Sequence, residues 1–129
     1  MADHLPTLVV SGDSVAGARL AEQLRRAGFL AGTATSCWAA HAAMSTRFYQ
    51  SLVCFVDPII ASDMECVSAL RQRSPRSWII VISSRAPTDA RVLTARCGAD
   101  ALLRTPFSID DLVSRLAAFA RRSRPQDGC

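Results

Sequence analysis

Residues 52–57 read Leu52-Val53-Cys54-Phe55-Val56-Asp57, five apolar residues in succession closed by a carboxylate and followed by Pro58. Continuous rather than alternating apolarity is the pattern of a strand buried on both faces of a parallel sheet. Leu8 to Val10, Trp78 to Ile82 and Ala101 to Leu103 have the same character, and a weaker run, Phe29 to Ala34, follows Gly28. Helical patterns fill the spaces between. The first starts at Val15, groups Ala18, Leu20, Ala21 and Leu24 on one side and stops at Gly28. The second leaves a Ser36 cap and passes through Trp38, His41, Ala42 and Met44 towards Phe48. The third spans Asp63 to Arg73 and the short fourth Thr88 to Arg96. The fifth opens on Ser108 and Asp111 at capping-box spacing and carries Ile109, Leu112, Val113, Leu116 and Ala120. Five alternations of strand and helix with short connections predict an α/β fold, a doubly wound parallel sheet covered on both faces.

The chain of 129 residues is long enough for one domain with its own core, and 50% hydrophobic against 20% charged residues excludes disordered and fibrous classes. No apolar run approaches the roughly 20 residues of a membrane helix, and the start lacks the basic and apolar segments of a signal peptide. The expectation is a soluble protein of a reducing cytoplasm. The five cysteines (37, 54, 66, 97 and 129) lack Cys-x-x-Cys spacing, so they read as small apolar fillers rather than a disulfide framework or a zinc site. All 15 basic residues are arginine. The net charge of +4 is concentrated near the end of the chain, around Arg115, Arg121, Arg122 and Arg124, and reads as a solvated helix end. With neither interleaved aromatics nor a recognition helix, direct nucleic-acid binding is not expected.

Ligands of such sheets bind outside the carboxyl ends of the strands. Those ends carry Ser11, Gly12 and Asp13, then Asp57, then Ser83 and Ser84, then Thr105 and Pro106. Asp57 is the sharpest of them. Its carboxylate is placed to ligate a cation or attack phosphorus, although an aspartate before Pro58 also suits a plain turn. The loop Ser11 to Gly17 offers an alternative reading as a small anion or nucleotide site, without matching the dinucleotide or Walker patterns, against a plain turn with a helix cap at Asp13 or Ser14. A serine hydrolase built on Ser83 or Ser84 lacks a base, because His4 precedes the first strand and His41 falls inside a helix.

Leu8-Val9-Val10, Val53-Cys54-Phe55-Val56-Asp57, Ile79-Ile80-Val81-Ile82-Ser83-Ser84, Gly98-Ala99-Asp100 and Leu102-Leu103-Arg104-Thr105-Pro106-Phe107 together resemble the receiver domain of bacterial two-component response regulators, the CheY-like family. The resemblance covers about residues 6 to 122. It implies a receiver-like domain over 1–122 with 123–129 as a tail or truncated linker, and a (βα)5 flavodoxin-like sandwich of strand order 2-1-3-4-5. In it Asp57 matches the phosphoacceptor and Ser83 the hydroxyl beside the phosphoryl group. Ser84, Ile59, Thr105 and Pro106 complete the pocket, and the Thr105–Pro106 bond is expected to be cis.

The departures matter equally. Ser11 and Gly12 occupy the positions of the acidic pair that holds Mg2+, and Asp13 stands one residue late. Thr105 replaces the lysine, Leu102 the aromatic switch residue, and Ala61 and Glu65 the usual proline and glycine beyond the acceptor. The expectation is a receiver with no cofactor, Mg2+ held weakly at most by Asp13 and Asp57. It would signal as a protein-interaction module rather than an enzyme, with a histidine kinase or output protein as partner. A homodimer through the fourth helix, fifth strand and fifth helix would use Arg91, Asp111 and Arg115.

Overall fold

In the computed structural model, which describes residues 6–56, 61–84 and 94–122, the apolar runs become strands. These are β1 (Pro6–Val10), β2 (Leu30–Ala34), β3 (Ser51–Phe55), β4 (Trp78–Ser83) and β5 (Ala101–Arg104). The sheet has the order β2-β1-β3-β4-β5 and every neighbouring pair is parallel. Its helices are α1 (Ser14–Arg26), α2 (Cys37–Met44), α3 (Ala61–Arg73), α4, described over residues 94–96, and α5 (Ile109–Ala120). This is the flavodoxin-like sandwich that the resemblance implies.

Both faces of the sheet are covered, which is why its strands do not alternate with polar residues. Leu8, Leu52, Cys54, Ile79 and Val81 pack against Ala40, Met64, Val67 and Leu70 on the α2–α3 side. Val9, Val53, Ile80 and Ile82 meet Leu20, Leu24, Leu112, Leu116 and Phe119 on the α1–α5 side. Successive residues of a strand thus feed opposite layers. Near the amino end of β4, Trp78 stacks on Phe119 of α5 with ring centroids 4.4 Å apart.

Two glycines end helices in the same way. Gly28 and Gly98 have φ of 100° and 99°, and in each case paired bonds close a Schellman turn: Gly28 N–H to the Arg25 carbonyl with Phe29 N–H to Leu24, and Gly98 N–H to Ala95 with Ala99 N–H to Thr94. A side chain at 98 would be strained there, and its Cβ would lie 2.6 Å from Arg71 Cγ.

Several expectations are corrected. On α1 it is Gly17, not Ala18, that joins Leu20, Ala21 and Leu24 inside. A Cβ on Gly17 would come within 3.3 Å of Ser11 Cβ, so the helix sits close to the sheet at that point. The second helix stops at Met44, where Ser45 and Thr46 hydroxyls donate to the Ala42 and Ala43 carbonyls, and Phe48 lies beyond it, exposed. Trp38 is 84% exposed, and Ala40 is the residue of α2 that enters the core. The third helix begins at Ala61, two residues earlier than expected.

The cysteines are also corrected. Cys54 is a buried filler as read, but Cys37 and Cys66 form a disulfide between α2 and α3. They are 29 residues apart, so no local spacing announces the pairing. It exists because the crossovers set α2 and α3 side by side on one face.

Thr7 is wholly buried in β1, and its hydroxyl finds no hydrogen-bond partner among the described residues. Burying an unsatisfied hydroxyl costs on the order of 1–3 kcal/mol. Thr7→Val keeps the shape and removes the polar atom, so it is expected to raise the unfolding free energy by about 1 kcal/mol. Urea denaturation checks this, and a loss of stability would mean that the hydroxyl is satisfied.

Candidate functional site

The carboxyl edge of the sheet brings together the ends of β1, β3, β4 and β5. After β1, Ser11 is buried and its N–H donates to the Ala34 carbonyl at 2.9 Å. Its hydroxyl donates to the Asp13 carbonyl at 3.0 Å and accepts from the Asp13 N–H at 3.1 Å. Asp13 is the N-cap of α1, its Oδ1 accepting from Val15 N–H at 3.0 Å and Ala16 N–H at 3.1 Å. Such a cap satisfies donors that helix geometry leaves open. Gly17 N–H also donates to the Asp13 carbonyl, at 3.0 Å. Five N–H groups of the Ser11–Gly17 loop are therefore committed within the protein, which argues against an anion cradle there.

Past β3, Val56 N–H donates to the Ile82 carbonyl at 2.9 Å. Asp57 and Ile59 lie outside the described residues. Ser83 ends β4 fully buried and Ser84 follows it exposed. Thr105 N–H donates to the Ser83 carbonyl at 3.2 Å, so the two polar positions expected to meet across β4 and β5 do so. The Thr105–Pro106 peptide is cis, as expected.

A Mg2+ ion asks for several oxygen ligands in near-octahedral array. The described residues at this edge do not form such a set. The Ser11 hydroxyl is turned onto the Asp13 main chain, Gly12 has no side chain, and the Asp13 carboxylate holds the start of α1. Beside them an open cavity of about 330 Å³ is bounded by Ser11, Gly12, Ser36, Cys54 and the Cys37–Cys66 pair.

On the α4–β5–α5 side, Asp111 and Arg115 are exposed and pair across one turn of α5 at 3.5 Å. An exposed pair at this spacing contributes about 0.3–0.5 kcal/mol. Arg91 lies outside the described residues. Leu102, Asp100, Thr94 and Arg115 line a second cavity of about 290 Å³ on this face.

Comparison with known proteins places these features in a family. The chain is 32% identical over 115 residues to the transcriptional regulatory protein PrrA of Mycobacterium tuberculosis, which is 89% of this chain and 49% of PrrA. It superposes on the Vibrio cholerae chemotaxis protein CheY4 with a TM-score of 0.80 at 19% identity, covering 90% of this chain and 98% of that one. The chain belongs to the response-regulator receiver family. Another receiver-fold match is HP1043, an orphan response regulator of H. pylori, at TM-score 0.77 and 24% identity over 91% of this chain and 97% of that one. No family model matches the sequence. This receiver spans about half the length of the curated relatives it matches. It is CheY-like in fold and similar in sequence to two-component response regulators. Among the described residues, no helix is long and apolar enough to cross a membrane.

Two arrangements escaped the sequence reading. One is the Cys37–Cys66 bridge. The other is a clamp in which Arg71 of α3 meets Asp100, just before β5, at 2.7 Å. Gly98-Ala99-Asp100 stood out as a motif, but nothing in its spacing named Arg71 as the partner.

Proposed function

We propose that this receiver is an atypical member that signals through its surface, without Mg2+-dependent phosphorylation of Asp57. The observation that carries the reading is the commitment of the β1 end. Asp13, the nearest carboxylate there, caps α1, and Ser11 is bonded to the Asp13 main chain. Phosphoryl transfer depends on positioning and on electrostatic stabilisation of the transferring group. A phosphoryl group on Asp57 would add close to two negative charges. Ser11, Gly12 and Thr105 supply neither the metal ligands nor the cation that would balance them. The domain then acts as an interaction module with no catalysis of its own, binding a histidine kinase or an output protein, or a second copy through α4, β5 and α5 around Asp111 and Arg115.

The test is incubation with acetyl phosphate and Mg2+, followed by intact mass and sedimentation. The expected outcome is little phosphorylated species and the same self-association in wild type and Asp57→Asn. Joint charge reversal at Asp111 and Arg115 is expected to weaken that self-association. Stoichiometric labelling that Asp57→Asn abolishes, with a matching change in association, would overturn the proposal.

A further inference from the structure

We propose that Cys37 and Cys66 are a reversible thiol–disulfide modification site that exchanges with low-molecular-weight disulfides, and that oxidation fastens α2 to α3 beside the carboxyl edge. The inference stands on the fold alone and does not depend on how Asp57 behaves.

The geometry is that of a pair built to close. The Cα atoms are 5.9 Å apart, at the most frequent separation for bonded cysteines. Both residues are half-buried, so a small reagent can reach them, whereas Cys54 next to them in the same cavity wall is buried. Burial pushes the Cys54 thiol up to about 12, which keeps it protonated and out of exchange. Cys37 is the first residue of α2, directly after the Ser36 cap. The positive end of the helix there assists formation of the attacking thiolate.

Exchange balances as follows. The Cys37 thiolate attacks one sulfur of a disulfide such as oxidised glutathione, giving a mixed disulfide and releasing one glutathione thiolate. The Cys66 thiolate then attacks the Cys37 sulfur, which forms the Cys37–Cys66 bond and releases the second. Two protein S–H bonds are lost, two small-molecule thiols are gained, and the two electrons pass to the reagent. Two glutathione thiolates, one for each step, reverse the sequence and leave as oxidised glutathione.

The element most affected is α2. It has eight residues, too few to hold as a helix by propensity alone. Ala40 is its buried residue, and Trp38, beside the bridge, points almost entirely into solvent. Its first turn is further seated by Ala39, partly buried against the core, by the Ser36 hydroxyl, which accepts from Ala39 N–H at 3.0 Å, and by the bond to Cys66. Making or breaking that bond therefore changes how firmly one wall of the edge cavity is held.

The protein is equilibrated in reduced and oxidised glutathione at a series of ratios. Free thiols are counted after denaturation, cross-linked peptides are mapped, and Tm and amide exchange are measured on both forms. Expected are a loss of two thiols, a single link between residues 37 and 66, and a Tm higher by roughly 10 °C in the oxidised form, as closure of a loop of this length supplies. Amides of 37–44 should exchange faster after reduction. Cys37→Ala and Cys66→Ala should each abolish the link and the Tm difference, and Cys97→Ser should leave both. Because the two redox states of the unmutated protein are compared directly, a variant that fails to fold does not remove the test. Retention of all thiols at every ratio, a link through other cysteines or between molecules, or a Tm difference that persists in folded Cys37→Ala would overturn the proposal.

Discussion

Arg71→Ala is expected to lower the unfolding free energy by about 3 kcal/mol, the largest loss anticipated for a single side chain outside the hydrophobic layers. The Arg71 guanidinium joins α3 to two connections, the one that leads into β4 and the one that leads into β5. Its Nη2 meets Asp100 Oδ2 at 2.7 Å, its Nε donates to the Gly98 carbonyl at 2.9 Å, and its Nη1 donates to the Ser77 carbonyl at 2.6 Å and to Pro75 at 3.1 Å. Asp100 Oδ2 in turn accepts from the Ile79 N–H at 2.8 Å. The two side chains are only 16% and 15% exposed, so the pair falls in the class where removal of one partner is costly. Alanine would leave Asp100 its Ile79 contact but take away the cation, and would strip the Gly98 and Ser77 carbonyls of this donor. Arg71→Lys is expected to recover less than half, since an ammonium cannot present the planar fork that reaches carbonyls on several sides. Urea unfolding checks both variants. A loss below about 1 kcal/mol for alanine would place the clamp with ordinary surface ion pairs.

Leu112→Ala is expected to cost about 3 kcal/mol, within the range of core leucine truncations. Leu112 is fully buried and, with Leu116 and Phe119, forms the stripe by which α5 rests on Val53, Ile80 and Ile82. Asp111 and Arg115 ride on the same helix, so a loosened seat should also weaken any association through that face. A full denaturant curve is the check. An unchanged midpoint would mean that α5 contributes its surface but little of the core.

The strands were legible in the sequence because burial on both faces leaves one plain mark, unbroken apolarity, which β3 carries most clearly; their order followed only from the resemblance to receivers. Gly28 and the Ser108 cap were legible too, each satisfying a backbone requirement within a few residues; the Ser108 hydroxyl accepts from Asp111 N–H at 3.0 Å. The face of α2 was not, because its alanines and its Trp38 give apolar residues on every side and no period decides which turns inward. At the edge of the sheet, Ser11, Ser83 and Thr105 were found from strand ends alone. That Asp13 would spend its carboxylate on its own helix was one of two readings open for the loop. Cys37–Cys66 and Arg71–Asp100 were beyond reach for one reason. Each joins groups 29 residues apart, and such meetings are set by how crossovers stack, which no local pattern records.

The strand order has a consequence for how the chain is made. β1 lies inside the sheet, yet only its β2 neighbour follows closely in sequence; on the other side Thr7 pairs with Ser51. As the chain leaves the ribosome, Pro6–Val10 and Leu30–Ala34 emerge before β3 exists, and the inner margin of β1 stays uncovered, with apolar side chains on both of its surfaces. Uncovered margins of this kind invite pairing with other nascent chains. A product ending before residue 51 would therefore be a sticky half-sheet rather than a smaller domain, and β3 is the strand whose arrival ends this exposure during synthesis.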